Sequence, residues 1–533
     1  MLNSCTRPSE SPEQGTSARA LPHAQLPWIA VSVALLLWGS LYIARTSFVY
    51  DGTRVFCLWD DGMISMTYAR NLARGEGLIW NAGGEAVQGY SNPLVTLVMA
   101  AIHLLPIDSF KISLVFQILN LGILLACASV MASLARRLLR DDWLGWVAAL
   151  SIACSAGFTF WTLQGSDVGF VALWLLTSLL WLTSRGTAEQ PWPAGLWPLL
   201  AVGPVIRPDS VIFLAVFGIF ALCLPGERLR RVLRGGALFA VVGGAMLLFN
   251  NYYYSDPLPN TYYLKATGAP RGGVVLIGLA QLRDLLPGAL IAVGLAGVGV
   301  WKWRHDRRFL LCAGLCVAAI LYHVWVGGDW ARARGSRFIT VVFPLLALLA
   351  IGGARALLGE RRVLVAGAVA LAAISVNTGS TIREWFDPRE PTYLRSDNQK
   401  NLEIARYIRD HSDSDTRIAV LWGGVYPYFG ERFSIDVWGK SDRYIAKLPA
   451  TSLRPGHSKR DWNYIVERRP DLIMTGNTPR LLRLKPFRRN YLRAFRDGRL
   501  LFYIHRDSRS KLKDPDLSFL DFAKVQPPSQ GES

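Results

Sequence analysis

Pro27-Trp-Ile-Ala-Val-Ser-Val-Ala-Leu-Leu-Leu-Trp-Gly-Ser-Leu-Tyr-Ile-Ala-Arg-Thr-Ser-Phe-Val49 carries one charge, Arg45, in a run that is otherwise apolar or small. A bilayer core about 30 Å thick needs about 20 such residues in a helix. The run is too long for the apolar part of a cleaved signal, and residues 1–25 before it are polar and Pro-rich. It reads as a first membrane helix. Comparable runs recur to about residue 376, centred near residues 123, 152, 176, 200, 217, 243, 295, 317, 346 and 370. About eleven helices follow from this count.

Composition and charge placement agree with it. The 533-residue chain is 51% hydrophobic and 18% charged, against about 25% charged in a soluble domain. Its 19 Trp, 18 Tyr and 23 Phe suit membrane–water interfaces. Disordered, collagen-like and single-domain soluble classes are excluded. The net charge of +19 raises the question of a nucleic-acid partner, and the positions of the charges answer it. With a cytoplasmic N-terminus, the cytoplasmic loops hold Arg136, Arg137 and Arg140; Arg185; Arg228, Arg230, Arg231 and Arg234; Lys302, Arg304, Arg307 and Arg308; and Arg355, Arg361 and Arg362. The clusters fall on one side, so the charge reports topology and no nucleic-acid partner is expected. Residues 93–105 are apolar but too short to span, and counting them would place Arg136–Arg140 outside; they read as an interfacial or re-entrant helix. The seven Cys are scattered without metal-ligand or disulfide spacing.

Eleven crossings leave the C-terminus outside. Apolar runs stop near residue 380, and the polar remainder suffices for one domain. Residues 417–422, 471–475 and 500–505 are strand-like, while 401–411 and 461–469 are helix-like, the latter opened by Asp461 and stopped by Pro470. Gly423-Gly424 after a strand reads as a tight turn. The expected architecture is an α-helical integral membrane protein with a C-terminal extracytoplasmic α/β domain. It comprises a cytoplasmic tail (1–26), a transmembrane domain (27–379) with a long first outer loop (50–111), and the outer domain (380–533).

The informative residues sit in the outer loops. The first begins Cys57-Leu-Trp-Asp60-Asp61-Gly62. Adjacent carboxylates beside a membrane helix can act as base, metal ligand or helix cap. Capping suits Asp61, before a helical stretch with Ile64, Tyr68 and Leu72 on one face; it does not account for both acids. The loop continues through Trp80-Asn81 and Gln88-Gly89-Tyr90, amides and aromatics that suit a carbohydrate, although Gly75, Gly77 and Pro93 also fit a plain turn-rich connector. The second loop holds Gln164-Gly-Ser-Asp167. The third, Arg207-Pro208-Asp209, sets charges at the bilayer edge, as a site or as a local ion pair. The fourth, around Asn260 and Lys265, is rich in Tyr, which an interfacial belt explains equally well. The fifth, Asp329-Trp330-Ala-Arg332-Ala-Arg334-Gly-Ser-Arg337, places three Arg on the side where topology does not need them. Arg forks bind phosphate bidentately; generic headgroup contact is the plainer reading.

In order along the chain, Asp60-Asp61-Gly-Met-Ile-Ser-Met-Thr-Tyr-Ala-Arg70-Asn71, Gly75-Glu-Gly77-Leu-Ile-Trp-Asn81, Gly89-Tyr90-Ser-Asn-Pro93, Gly165-Ser-Asp167, Arg207-Pro208-Asp209, Pro259-Asn260-Thr-Tyr-Tyr-Leu-Lys265 and Gly327-Gly328-Asp329-Trp330 resemble integral-membrane glycosyltransferases of the GT-C type. So do Trp422-Gly-Gly-Val-Tyr-Pro-Tyr428, Asp436-Val-Trp-Gly439-Lys-Ser-Asp442 and Gly456-His457-Ser-Lys459 in the tail. Within that class the motifs are most similar to terminal β-(1→2)-arabinofuranosyltransferases. Relatives have Gly-Leu-Glu where this chain has Gly165-Ser166-Asp167, a shorter acid. The resemblance implies a polyprenyl-phosphate sugar donor, inversion at the outer face of the cell membrane, a first-loop aspartate as base and a cell-envelope glycan as acceptor. It implies no nucleotide sugar.

The residues supply both ends of that reaction: an acid to deprotonate the attacking hydroxyl and cations for the departing phosphate. Asp60 and Asp61 are the candidate bases, with Asp60 preferred because Asp61 has the capping alternative. Arg332, Arg334, Arg337, Arg207 and Lys265 are the candidate phosphate ligands. Tyr68, Trp80, Asn81, Gln88, Tyr90, Asp167, Asp209, Asn260, Asp329, Trp330 and His457 are candidate substrate contacts, with Lys459 beside His457. No cofactor is identified, and a divalent metal is left open without a ligand set. Transfer of a hexose or aminosugar to lipid or protein is the alternative within the enzyme class. A glycolipid flippase is the alternative outside it, against which stand the absence of mid-helix charge and of an internal repeat.

Overall fold

The computed structural model describes residues 26–183, 192–223, 229–329, 336–375, 391–476 and 479–522. The first apolar run is helix α1 (Leu26–Thr46). A hairpin follows, β1 (Phe48–Tyr50) and β2 (Thr53–Val55), turned by Asp51-Gly52 with both residues at positive φ, as tight hairpins prefer. The long loop after α1 then forms α2 (Asp60–Ala73) and α3 (Pro93–His103). Helix α3 is the short apolar segment; at about 1.5 Å per residue it covers roughly half a bilayer core.

The helical part continues with α4 (Ser109–Leu139), α5 (Asp142–Ala153), α6 (Ala156–Leu163), α7 (Val168–Thr183), α8 (Leu196–Ala201), α9 (Gly203–Ile206), α10 (Val211–Leu222), α11 (Leu229–Tyr254), α12 (Asn260–Ala266), α13 (Arg271–Lys302), α14 (Arg307–Trp325), α15 (Arg337–Thr340), α16 (Phe343–Leu358) and α17 (Arg362–Ser375). Each expected centre falls in an apolar helix. Five of these, α1, α4, α11, α13 and α14, are long and apolar enough to cross a bilayer alone, and α5 with α6, bent by 61°, makes a sixth as a pair. The runs near 200 and 217 are interrupted between α9 and α10, where Pro208 cannot donate a helical hydrogen bond. Asp108, Asp141 and Asp306 cap α4, α5 and α14. Leu37, Ile219, Leu248 and Val363 stand exposed on the outer surfaces, Leu248 by 72%; such an apolar belt requires a lipid-like surround.

The C-terminal part comprises α18 (Tyr393–His411), β3 (Arg417–Val420), α19 (Val425–Gly430), β4 (Phe433–Asp436), α20 (Arg443–Lys447), α21 (Trp462–Glu467), β5 (Leu472–Met474), α22 (Pro479–Leu482), α23 (Lys485–Asn490), β6 (Tyr491–Arg496), β7 (Arg499–His505) and β8 (Ser518–Leu520). The strands form one six-stranded sheet in the order β4-β3-β5-β7-β6-β8, parallel across β4, β3 and β5 and antiparallel beyond. The expected strands are β3, β5 and β7. Helix α21 begins where Asp461 caps Asn463 N and Tyr464 N at 2.9 and 3.1 Å. Strands β4, β6 and β8 went unforeseen: polar or charged residues interrupt their apolar pattern.

One face of the sheet joins α2, α3, α18 and α19 in a core containing Met63, Ile64, Val420, Phe429 and Phe502. The other face packs under α20 to α23 with Ile435, Ile445, Ile465, Leu481 and Phe487. The long loop after α1 and the C-terminal sheet therefore share a hydrophobic core. That shared core fixes the position of the paired aspartates.

Candidate active site

Asp60 and Asp61 occupy the first turn of α2, where the positive end of the helix dipole favours carboxylates. The cap position is Trp59, and no side chain caps the helix. The capping explanation for Asp61 is therefore replaced by ion pairing. Asp61 Oδ2 accepts from Arg337 Nη1 at 2.8 Å, and Oδ1 accepts from Lys440 Nζ. Burial would raise the Asp61 pKa, but the Lys440 and Arg337 charges outweigh it and hold the carboxyl well below the usual range. Asp60 is turned elsewhere. Its Oδ1 accepts from Gly424 N at 2.9 Å. Burial, opposed by the Lys440 charge and reinforced by Asp61, lifts its pKa to about 7. Two neighbouring acids thus have divergent environments, one ionised and one near half-protonation at neutral pH.

The partners of both acids come from adjacent parallel strands. Gly424 follows the carboxyl end of β3, and Lys440 follows the carboxyl end of β4, where Val420 and Asp436 lie in register. In parallel sheets this edge is the usual ligand-binding edge. A β-carbon on Gly424 would collide with the Asp60 carbonyl, so the glycine pair does more than turn the chain. It lets the C-terminal loop close onto the long loop after α1.

Arg337, at the start of α15, bridges two acids. Besides Asp61 it donates from N and Nε to Asp329 Oδ2, each at 3.1 Å. Asp329 is 2% exposed and follows Gly327-Gly328, both at positive φ, a turn that L side chains resist. Its own N–H donates to Gln281 Oε1 at 2.9 Å. Arg207 is buried and committed in the same way, to Asp167 at 3.2 Å and to Asp209. The shorter acid at 167 thus has a partner within reach. Removing one member of so buried a network costs about 3–5 kcal/mol, yet among the described residues Arg207 Nη2 has no hydrogen-bond partner and the residue lines a cavity.

Asp167, Asp329 and Arg337 line an open cavity of about 840 Å³ with Trp59, Asp61, Tyr90, Trp161, Lys440 and His457 on its walls. A second cavity, about 1120 Å³, lies beside it between α10, α12 and α14, lined largely by Val211, Ile212, Leu258, Pro259, Trp325 and Val326. Lys265, Thr261, Ser91, Asp167, Arg337 and Phe338 belong to both walls. At this junction Lys265 Nζ stands 4.9 Å from the Phe338 ring centroid. Among the described residues it is the cavity cation with no ion pair. Burial and then the Arg337 charge lower its pKa to about 8. An anion at the junction would complete its coordination.

Several expected substrate contacts are hydrogen-bonded within the protein. Tyr68 is fully buried; its hydroxyl donates to Val87 O at 2.7 Å and accepts from Gly89 N at 3.0 Å. Trp80 Nε1 donates to Gly423 O at 3.1 Å. Asn81 pairs both ways with the Ser434 backbone at 2.9 Å, docking the loop onto β4. Asn260 Nδ2 donates to Gly439 O at 3.1 Å, and its backbone N donates to the Gln88 backbone O at 3.0 Å, while among the described residues the buried Gln88 Oε1 has no hydrogen-bond partner. Lys459 is buried and donates to Ala446 O, Tyr263 O and Thr267 Oγ1 at 2.7, 3.0 and 3.1 Å. It staples α12 to the C-terminal domain and so places Lys265; it does not face a glycan. Tyr90, Asp167, Asp329 and His457 do line the first cavity, and Asp209 lines the second. His457 is kept neutral, lowered to about 4 by burial and then by the Lys440 charge. Trp330, Arg332 and Arg334 lie outside the described residues. Lys440 was not singled out as a site residue. The signal was its place after a short strand, visible only once β4 is known. Among the described residues no set of three or more His, Cys, Asp and Glu side chains is arranged to hold a metal.

In this chain a bundle of apolar helices, a long first loop opening on two acids and a C-terminal sheet closing over that loop make up a fold that matches solved structures of the GT-C type. Its fold is similar to that of ArnT from Cupriavidus metallidurans: in the apo state the TM-score is 0.55 at 13% identity, over 90% of this chain and 98% of that one. The form bound to undecaprenyl phosphate gives 0.51 at 13%, over 80% and 90%. The Archaeoglobus fulgidus oligosaccharyltransferase in the apo form gives 0.51 at 10%, over 93% and 76%. At such identities the likeness is one of fold. The family model of a domain of unknown function, DUF8728, matches residues 390–512, and no curated protein matches the chain.

Proposed function

We propose that this protein is an inverting glycosyltransferase. It moves a sugar, best read as arabinofuranose, from a polyprenyl-phosphate donor to a hydroxyl of a cell-envelope glycan on the outer face of the cell membrane. The observation that carries this reading is the placement of Lys265, unpaired at the junction between an apolar cavity and a polar one that holds Asp61. The apolar cavity suits an isoprenoid chain, the junction its phosphate, and the polar cavity the sugar and acceptor. ArnT, bound to undecaprenyl phosphate in one solved form, makes that donor chemistry reasonable for this fold. The sugar assignment rests on the motif resemblance. Transfer of a hexose or aminosugar to lipid or protein is favoured as the second reading by the fold likeness to ArnT and to an oligosaccharyltransferase.

The acceptor hydroxyl attacks the anomeric carbon as the bond from that carbon to the phosphate oxygen breaks. Asp61 takes the hydroxyl proton, and the phosphomonoester leaves with its charge facing Lys265 and Arg337. Without donor, Asp61 is a weak base because two cations hold it. An arriving phosphate offers Arg337 and Lys440 a second anion, which weakens their hold and raises the Asp61 pKa towards a useful value. Asp60, turned to Gly424, positions the loop.

Purified protein incubated with a panel of radiolabelled polyprenyl-phosphate sugars and membrane extract should label a glycan from one donor. Label in no product from any donor sinks the reading, and translocation of intact donor instead would indicate the flippase. For sidedness, a single Cys at Asp497, 92% exposed between β6 and β7, should react with an impermeant reagent in whole cells; protection there would place the domain inside.

Asp60→Asn should leave turnover within about threefold of wild type, since the amide oxygen can still accept from Gly424 N. The folded chain keeps the Asp60 proton to about pH 7, whereas an unfolded chain releases it near pH 4. This group's contribution to stability therefore falls as pH rises from about 4 to about 7. The Asn variant should flatten that part of the melting temperature–pH curve. A steeper curve would contradict the burial argument.

Lys265 binds phosphate as the ammonium. With its pKa near 8, kcat/KM for donor should decline as pH rises through about 8. Lys265→Arg should carry that decline to about pH 10 or above, because Arg does not titrate there. Superimposable profiles for the two proteins would remove Lys265 from the phosphate site.

A further inference from the structure

Residues 479–490, Pro-Arg-Leu-Leu-Arg-Leu-Lys-Pro-Phe-Arg-Arg-Asn, hold five cations and no acid. They form α22 and α23, whose Leu481 and Phe487 face the core while Arg480, Arg483, Lys485, Arg488 and Arg489 are all exposed. Among the described residues none of the five is in an ion pair. Elsewhere on this domain Arg and Lys side chains pair freely, as Arg506 does with Asp521 and Lys511 with Asp415. A like-charged cluster without acids repels itself, and in the topology proposed above it lies on the side where positive charge is not needed for orientation. It asks for an anionic partner.

The cluster connects to the catalytic cavity. His457 lines that cavity, and its ring meets the Trp438 ring edge-on at 5.1 Å. On Trp438 rests Arg460, its Cζ 4.7 Å from the ring centroid and 5.3 Å from that of Trp462. Arg480 and the exposed Arg454 stand close enough to Arg460 to repel its charge. Aromatic faces with cations over them thus alternate from the cavity wall to α22. Aromatic faces suit sugar rings, and Arg forks suit carboxylate or phosphate.

We propose that this track, from His457 and Trp438 through Arg460 to Arg480 and the basic face of α22 and α23, binds the acceptor as a polyanionic glycan bearing carboxylates or phosphates. The inference rests on the transferase reading and names its acceptor class. A membrane surface is the less fitting partner. On the sheet face that α20 to α23 cover, contact with the helical bundle runs through α20 and Lys459 to α12, whereas α22 and α23 pack mainly on each other and on β6.

The test uses the full-length protein in zwitterionic nanodiscs, with fluorescent oligogalacturonate, phosphorylated dextran and unmodified dextran of equal length as probes. At least one anionic probe should bind tenfold or more tighter than dextran, and less tightly as salt rises. The triple variant Arg480→Glu, Arg483→Glu, Arg488→Glu should lose at least tenfold of that affinity at an unchanged melting temperature. Trp438→Ala should weaken both probe types. Equal binding of charged and neutral glycans, or a triple variant that binds like wild type, overturns the proposal. So does a variant whose loss appears only on vesicles with anionic lipid, which would make the surface a membrane contact. Asp61→Asn run alongside separates the two ideas. Normal turnover in that variant sinks the transferase reading, while glycan affinity is read independently.

Discussion

Asp61→Asn should lower turnover at least 100-fold while melting temperature and expression hold. A positioned general base contributes roughly 10² to 10⁴ in rate, and the amide retains the shape but cannot take a proton. The fold should survive the change for a structural reason. Arg337 keeps its two contacts to Asp329, and the Asp61 side chain is 28% exposed, so neither cation it releases is stranded dry. Asp60→Asn is the matched control: the same chemistry one residue away, predicted nearly silent because its oxygen serves Gly424. Wild-type turnover in Asp61→Asn would end the base assignment. A large loss in Asp60→Asn with Asp61→Asn active would exchange the two roles.

The second large effect is expected at Arg337. Its guanidinium uses Nη1 for Asp61 and Nε for Asp329, a bridge that one ammonium cannot span while also meeting a phosphate. Arg337→Lys should lower kcat/KM for donor at least tenfold, about 1.4 kcal/mol. A donor titration distinguishes the cause. A raised KM with kcat preserved means phosphate binding, whereas a lowered kcat that excess donor does not restore means stabilisation of the departing charge. Lys variants of Arg332 and Arg334 belong in the same series, and the three should differ, Arg337 being the most severe. If all three behave like wild type, the phosphate is held elsewhere, with Lys265 first in line. Arg207 stays in the series as well: Asp167 and Asp209 take its Nη1 and Nε, but among the described residues its buried Nη2 has no hydrogen-bond partner and the residue lines the second cavity.

The paired acids illustrate how far a site can be read from residue order. Their adjacency and their place beyond an apolar run were enough to mark them. Which one faces the cavity was not legible, because that depends on Gly424 and Lys440, which approach from the loops after β3 and β4. The amides and aromatics of the first loop show the opposite failure. Tyr68, Trp80 and Asn81 have the composition of a sugar-binding loop, but their polar atoms bond backbone groups, as does the Asn260 amide of the fourth loop. A buried loop must satisfy its polar groups somewhere, and residue type alone does not say whether the partner is backbone or ligand.

What the sequence determined by itself is the helical membrane architecture, the centres of its apolar helices and the two acids at the start of the first loop. Hydropathy and charge act over about 20 consecutive residues, so they are written locally. The tertiary structure alone decided the ion-pair pattern. It assigned Arg337 to Asp61 and Asp329, assigned Arg207 to Asp167 and Asp209, and left Lys265 unpaired where a polar and an apolar cavity meet. Coulomb energy and desolvation depend on distances of a few ångströms between side chains far apart in the chain. Those distances exist only after the long loop after α1 and the C-terminal sheet have closed around their common core.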